Sequence, residues 1–82
     1  MELSVRFFAL YRERAGCSVA SVAVPEGATV AELVASVRAL YPRLAPPDVQ
    51  IVVAVNEEYA DPETSLHAND EICLIPPVSG GD

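Results

Sequence analysis

The sequence predicts an α+β domain in which one main helix lies across one face of a mixed sheet of four to five strands. Three observations carry that expectation. Residues 3–10 alternate apolar and polar side chains with the period of a strand, a helix start followed by one apolar stripe fills residues 29–41, and two short aliphatic runs follow at 51–56 and 71–75. The chain has 82 residues, room for one core and no second; a domain of this size buries only about 60–65 % of the surface its unfolded chain exposes. Residues 1–82 are therefore read as a single domain, with 76–82 as an extended C-terminal tail.

In the first segment Leu3, Val5 and Phe7 share one strand face and Ser4, Arg6 and Phe8 the other, which leaves Phe8 as an aromatic among polar neighbours. "YRERAG" reads as a turn or short helical loop ending at Gly16, and the β-branched run up to Val24 as a second strand. Thr29 can cap the next helix and Glu32, three positions on, can reach back to it. From there Val30, Leu33, Val34, Val37, Leu40 and Tyr41 form one apolar stripe, and Pro42 ends the helix. Ile51 to Asn56 is apolar on both alternating faces, as an interior strand is. Turn formers then dominate up to Asp70, with a short strand near Tyr59, and Glu71–Ile75 forms the last strand before Pro76, which has no N–H for a ladder. The sheet's second face has nothing in the sequence to cover it, so it meets water or a partner.

Charge narrows the partner. Residues 1–43 hold five Arg and four acids, whereas residues 44–82 hold eight acids and no Lys or Arg, within a net charge of −7. Phosphate binding needs cations that the second half lacks, so nucleic acid is excluded and a basic protein partner is favoured. No run reaches the roughly 18 apolar residues of a membrane span. The start "MELSVRFFAL" has none of the features of a secretory signal, which leads us to expect a cytoplasmic protein with reduced thiols at Cys17 and Cys73. Both cysteines are read as packing residues, Cys73 buried in its apolar strand; His67, alone in a polar loop, is read as solvated. There is no lysine, hence no side-chain amine for Schiff-base or isopeptide chemistry on this chain.

The tail "PPVSGGD" is the most specific stretch. Pro76 and Pro77 favour an extended, semi-rigid exit from the sheet, Val78 gives one apolar foothold, and Ser79, Gly80 and Gly81 supply a strip of nearly bare backbone. Such an arm suits insertion into another protein's active site. No Cys–His pair, phosphate loop or metal cluster is legible, so any catalysis falls to partners.

"RFFALYRERAG", "VNEEYADPETSLHANDEICLIPPVSGG" and the helix between them resemble the MoaD and ThiS family of sulfur carriers, and within it the small subunits of molybdopterin synthase. The specific part is Leu66, Asn69, Asp70 and the run from Ile75 to Gly81. The resemblance implies the ubiquitin-like β-grasp fold, with first and last strands parallel at the middle of the sheet. It further implies that an adenylating enzyme of the ubiquitin-activating (E1-like) type uses ATP on the carboxylate of Gly81, that a sulfur donor converts it to a thiocarboxylate, and that the large synthase subunit receives the tail. There the sulfur passes to cyclic pyranopterin monophosphate in molybdenum cofactor biosynthesis. By resemblance Gly80 and Ser79 line the tunnel, Pro76, Pro77 and Val78 set the exit, and Phe8 contacts the large subunit. No cofactor is implied on this chain itself.

Asp82 departs from the family, whose chains end at the second glycine; it ties the carboxyl group of Gly81 into a peptide bond. A peptidase that removes Asp82, an added residue, or a homologue that carries no sulfur are the three readings, of which trimming or an added residue leaves the arm a purpose. Rival functions are sulfur delivery to thiamin, tRNA or cysteine synthesis, a ubiquitin-like protein modifier, and a plain adaptor domain.

Overall fold

Alternation in the first segment becomes burial. In β1 (Glu2–Phe7) Leu3, Val5 and Phe7 are shut away from solvent while Glu2, Ser4 and Arg6 face it. The structure is a computed structural model and describes residues 1–76. After β1 come α1 (Leu10–Ala15), β2 (Val19–Ala23), α2 (Val30–Leu40), β3 (Val52–Val55), β4 (Glu58–Ala60) and β5 (Glu71–Ile75). The five strands form one sheet in the order β2-β1-β5-β3-β4. β1 and β5 are parallel at its centre, and the other three pairings are antiparallel. α2 lies on one face, where its buried Leu33 and Val37 join Val5, Val22, Val53, Ile72 and Leu74 in the core. Each such side chain contributes about 1.5–3 kcal/mol when taken out of water, which a helix of 11 residues needs, since so short a helix is marginal alone.

The start of α2 is satisfied twice over. Thr29 Oγ1 accepts from the Glu32 amide at 3.3 Å and the Thr29 amide donates to Glu32 Oε1 at 2.9 Å, the reciprocal cap that the spacing predicts. The next two free amides find the β4–β5 connection: Val30 N–H donates to the Thr64 carbonyl at 2.9 Å and Ala31 N–H to the Pro62 carbonyl at 3.0 Å. That loop thus fastens the helix to the far side of the sheet. At the other end the stripe stops short. Leu40, in the last turn, is 59 % exposed, and Tyr41 takes the place over the sheet by meeting the Phe7 ring edge-on at 5.2 Å.

Two arginines hold the 42–50 segment against the core. Arg14 Nη1 donates to the Leu44 carbonyl at 2.9 Å; Arg38 donates to the carbonyls of Ala45, Pro46 and Val49. Leu44 is thereby pressed into full burial. The Tyr11 side chain is also buried, yet its hydroxyl has no hydrogen-bond partner among the described residues. Burial pushes the Tyr11 phenol above its ordinary value, and the nearby charges of Arg38 and Arg14 offset only part of that.

A tight hairpin joins β3 to β4. Asn56 at φ 52 and Glu57 at φ 72 are its two central residues, the left-handed pair that matches the twist of the flanking strands. The Asn56 side chain then clasps the start of β5: it accepts from the Glu71 amide at 3.0 Å and donates to Asp70 Oδ1 at 2.9 Å, while Asp70 Oδ2 accepts from the His67 amide at 2.7 Å. Those bonds, first the one from Asn56 and then the one from the His67 amide, hold the Asp70 carboxyl below its ordinary value. Asn69 supports the same turn at φ 74, and Leu66 buries itself in the core. The quartet fixes where β5 begins, and so which of its residues point outward.

Candidate functional site

The face of the sheet turned away from α2 is open among the described residues. Strand register lines up Val19, Arg6, Cys73, Ala54 and Tyr59 side by side across all five strands. One step toward the end of β5, Val52 stands opposite Ile75, and Phe8 follows β1 beside them, its amide donating to the Leu74 carbonyl at 3.2 Å. In the other direction the row becomes Ser21, Ser4 and Glu71. The face therefore grades from polar to apolar toward the point where the chain leaves the sheet. Phe8 is 41 % exposed, Val19 47 % and Tyr59 78 %. A shallow groove of about 540 Å³, bounded by Arg6, Phe8, Tyr59, Cys73 and Ile75, runs over this end, with Glu57 and Glu71 at its margin.

The local backbone explains why Phe8 faces outward. β1 ends at Phe7, and the Phe8 carbonyl accepts from the Tyr11 amide at 3.0 Å, which folds the chain sharply into α1. Ala9 makes the bend at φ 51 and ψ −123, a region that L-residues avoid and that costs about 1–3 kcal/mol. α1 ends at Gly16 in the left-handed conformation, its amide bonded back to the Arg12 carbonyl at 3.0 Å. A rigid corner on each side of α1 keeps Phe8 at the rim of the apolar end.

Of the residues that sequence reasoning singles out, Phe8 and Pro76 are described and lie together at this end; Pro76 directly follows β5 and is half-buried. Pro77, Val78, Ser79, Gly80, Gly81 and Asp82 lie outside the described residues. Cys73 differs from expectation: it is half-buried on the open face, because β5 buries Ile72 and Leu74 and alternation sends Cys73 outward. Cys17 is half-buried against the core and its sulfur lies 3.8 Å from the Tyr41 hydroxyl, a contact that pushes the Tyr41 phenol up. His67 projects into solvent. Sequence reading does not single out Arg6, Tyr59 or Ile75 as part of the face. Their signal is the outward phase of each strand, which becomes a surface only once strand order is known.

Chemically this arrangement is apolar at its centre and charged at its margins. Among the described residues no group of three or more His, Cys, Asp or Glu could hold a metal ion, and no helix is long and apolar enough to cross a membrane. The face instead has an apolar centre with charged margins, the composition of a protein interface.

A five-stranded mixed sheet with parallel β1 and β5 at its centre and one main helix over one face defines a ubiquitin-like β-grasp domain. Within that class the chain belongs to the ThiS family, whose model matches residues 5–81. It is 36 % identical to the molybdopterin synthase sulfur carrier subunit of Chlamydomonas reinhardtii, over 99 % of this chain and 100 % of the relative. Among solved structures, SAMP1 from Haloferax volcanii superimposes with a TM-score of 0.86 at 30 % identity, covering 99 % of this chain and 100 % of that one. Subunits 1 and 2 of the molybdopterin-converting factor from Helicobacter pylori have been solved as a complex. A chain of that complex matches with a TM-score of 0.68 at 28 % identity over 99 % of this chain and 100 % of its own length.

Proposed function

We propose that this chain is the sulfur-carrying small subunit of a molybdopterin synthase. The observation that carries the reading is where β5 ends: the central parallel strand delivers Pro76 beside Phe8 and Ile75, at the apolar end of the uncovered face. Pro77, Val78, Ser79, Gly80 and Gly81 follow Pro76 in the sequence, so a protein that covers this end of the face meets the residue from which the arm continues. Relatives of matching length that bear the sulfur-carrier name support it, as does the two-subunit complex among the structural neighbours.

The chemistry proceeds on the form ending at Gly81. The Gly81 carboxylate attacks the α-phosphorus of ATP on an adenylating enzyme and pyrophosphate leaves. A reduced sulfur nucleophile from a donor then displaces AMP, leaving a thiocarboxylate. Carried into the large subunit, its sulfur bonds to a side-chain carbon of cyclic pyranopterin monophosphate as the phosphate ester oxygen on that carbon leaves and the phosphate ring opens, and water then hydrolyses the acyl link to restore the carboxylate. Gly80 and Ser79 line the entry tunnel. This chain contributes positioning and a nucleophile, the partners contribute catalysis.

A second reading, the protein modifier, draws on the likeness to SAMP1, also solved as small archaeal modifier protein 1 from Haloferax volcanii. The experiment that separates the two is deletion of this gene from its host with assay of pterin cofactor and of tagged conjugates together. The carrier reading expects loss of cofactor, restored by the full gene and not by one lacking Gly80–Asp82. Normal cofactor with loss of conjugates transfers the assignment to the modifier.

A further inference from the structure

A second groove of about 540 Å³ runs between α2 and the β3–β4 edge, on the helix side of the sheet. Its floor is aliphatic, with Val34 from α2, Ile51 and Val53 from the β3 segment and Ala60 from β4. Asp48 and Asp61 stand on its rim, and neither is in an ion pair among the described residues. The one cation in its lining, Arg38, is committed to the carbonyls of Ala45, Pro46 and Val49, so it serves as wall rather than as a receptor for anions. β4 is the last strand in the sheet order, and its outer edge has no strand partner among the described residues.

We propose that this groove, with the free edge of β4, binds an extended peptide segment of a partner protein that carries an aliphatic side chain flanked by Arg or Lys. An edge strand offers backbone N–H and C=O groups to an added strand, and a pocket beneath the edge selects the side chain that enters it. The floor accepts an aliphatic group and the two carboxylates favour cations on either side of it. An acidic segment is repelled by the same carboxylates and by a chain of net charge −7. β4 spans three residues, which limits the backbone bonds and makes this a weak, exchanging contact. The site is separate from the open face, although Tyr59 lines both grooves, and it does not depend on the sulfur chemistry of the tail.

The test uses the full chain as bait for a displayed library of random linear octapeptides, with binding of the selected peptides then measured by amide shifts and titration. The expected consensus is an aliphatic residue with adjacent Arg or Lys, and the shifts centre on Val34, Ile51, Val53 and Ala60. The double variant Asp48→Asn, Asp61→Asn, which keeps the Asp61 turn acceptor, weakens binding about tenfold, the loss of two exposed charge contacts. Val34→Glu abolishes it at unchanged circular dichroism. The proposal is overturned if no peptide is enriched, if the enriched peptides are acidic or shift only the open face, or if the double Asn variant binds with unchanged affinity.

Discussion

Replacing Asp70 with alanine removes two hydrogen bonds at once, from Asn56 Nδ2 at 2.9 Å and from the His67 amide at 2.7 Å, in a side chain only 13 % exposed. Bonds to a charged acceptor contribute about 1.5–3 kcal/mol each where water cannot replace them. Here Asn56 and His67 both border solvent, so water recovers part and the pair is worth about 1.5–3 kcal/mol together. For a domain of this size that lowers Tm by about 6–24 °C in a thermal melt at neutral pH. The pH dependence gives a second readout. The folded carboxyl lies below its ordinary value of 3.8, so well above 3.8 it is ionised in both states and its contribution is complete. As pH falls below 3.8 the unfolded chain takes up a proton first, and the contribution drains away until the folded carboxyl is protonated too. The gap between wild type and Asp70→Asn, whose amide brings a donor where an acceptor is needed, should therefore be wide at pH 7 and narrow progressively as pH falls below 3.8. An unchanged Tm in Asp70→Ala, or a gap that ignores pH, refutes the clasp.

Three further outcomes follow from the corner and the core. Phe8→Ala should weaken binding to a large synthase subunit by about tenfold to a hundredfold, as loss of an aromatic anchor does, while Tm stays within about 2 °C; calorimetry showing equal affinity removes Phe8 from the interface. Ala9→Gly should stabilise by about 0.5–2 kcal/mol, because relief of strain at φ 51 exceeds the added freedom of glycine in the unfolded chain; denaturant titration showing a loss means that the bend is unstrained. Tyr11→Phe should leave stability unchanged or raise it by about 1 kcal/mol, since the deleted hydroxyl is buried without a partner among the described residues; a fall in urea midpoint contradicts that burial.

Elements with a local signature are legible in the amino-acid sequence itself. The Thr29–Glu32 cap, the 2-residue period of β1 and the stop at Pro76 each depend on neighbours in sequence, and each stands where the sequence places it. The β3–β4 hairpin is harder to see, because its turn is Asn56-Glu57 and lacks the glycine that normally marks two left-handed residues. Cys73 escapes for another reason: in a short apolar strand only the phase decides which residues face the core, and that phase is set by the Asn56–Asp70 clasp, 14 residues apart. The open face follows the same logic. Phe8 stands out among polar neighbours, but Arg6, Cys73 and Tyr59 join it only through pairings between distant strands. The tail lies outside the described residues, and its reading rests on composition alone, as prolines followed by glycines next to the last strand.

Whether Gly81 carries sulfur is decided by weighing it. The form ending at Gly81, incubated with a family adenylating enzyme, ATP and a sulfide source, should gain the mass difference of one oxygen exchanged for one sulfur, with the change located on the last residue by fragmentation. An unaltered mass, in a mixture that loads a control carrier, contradicts the assignment.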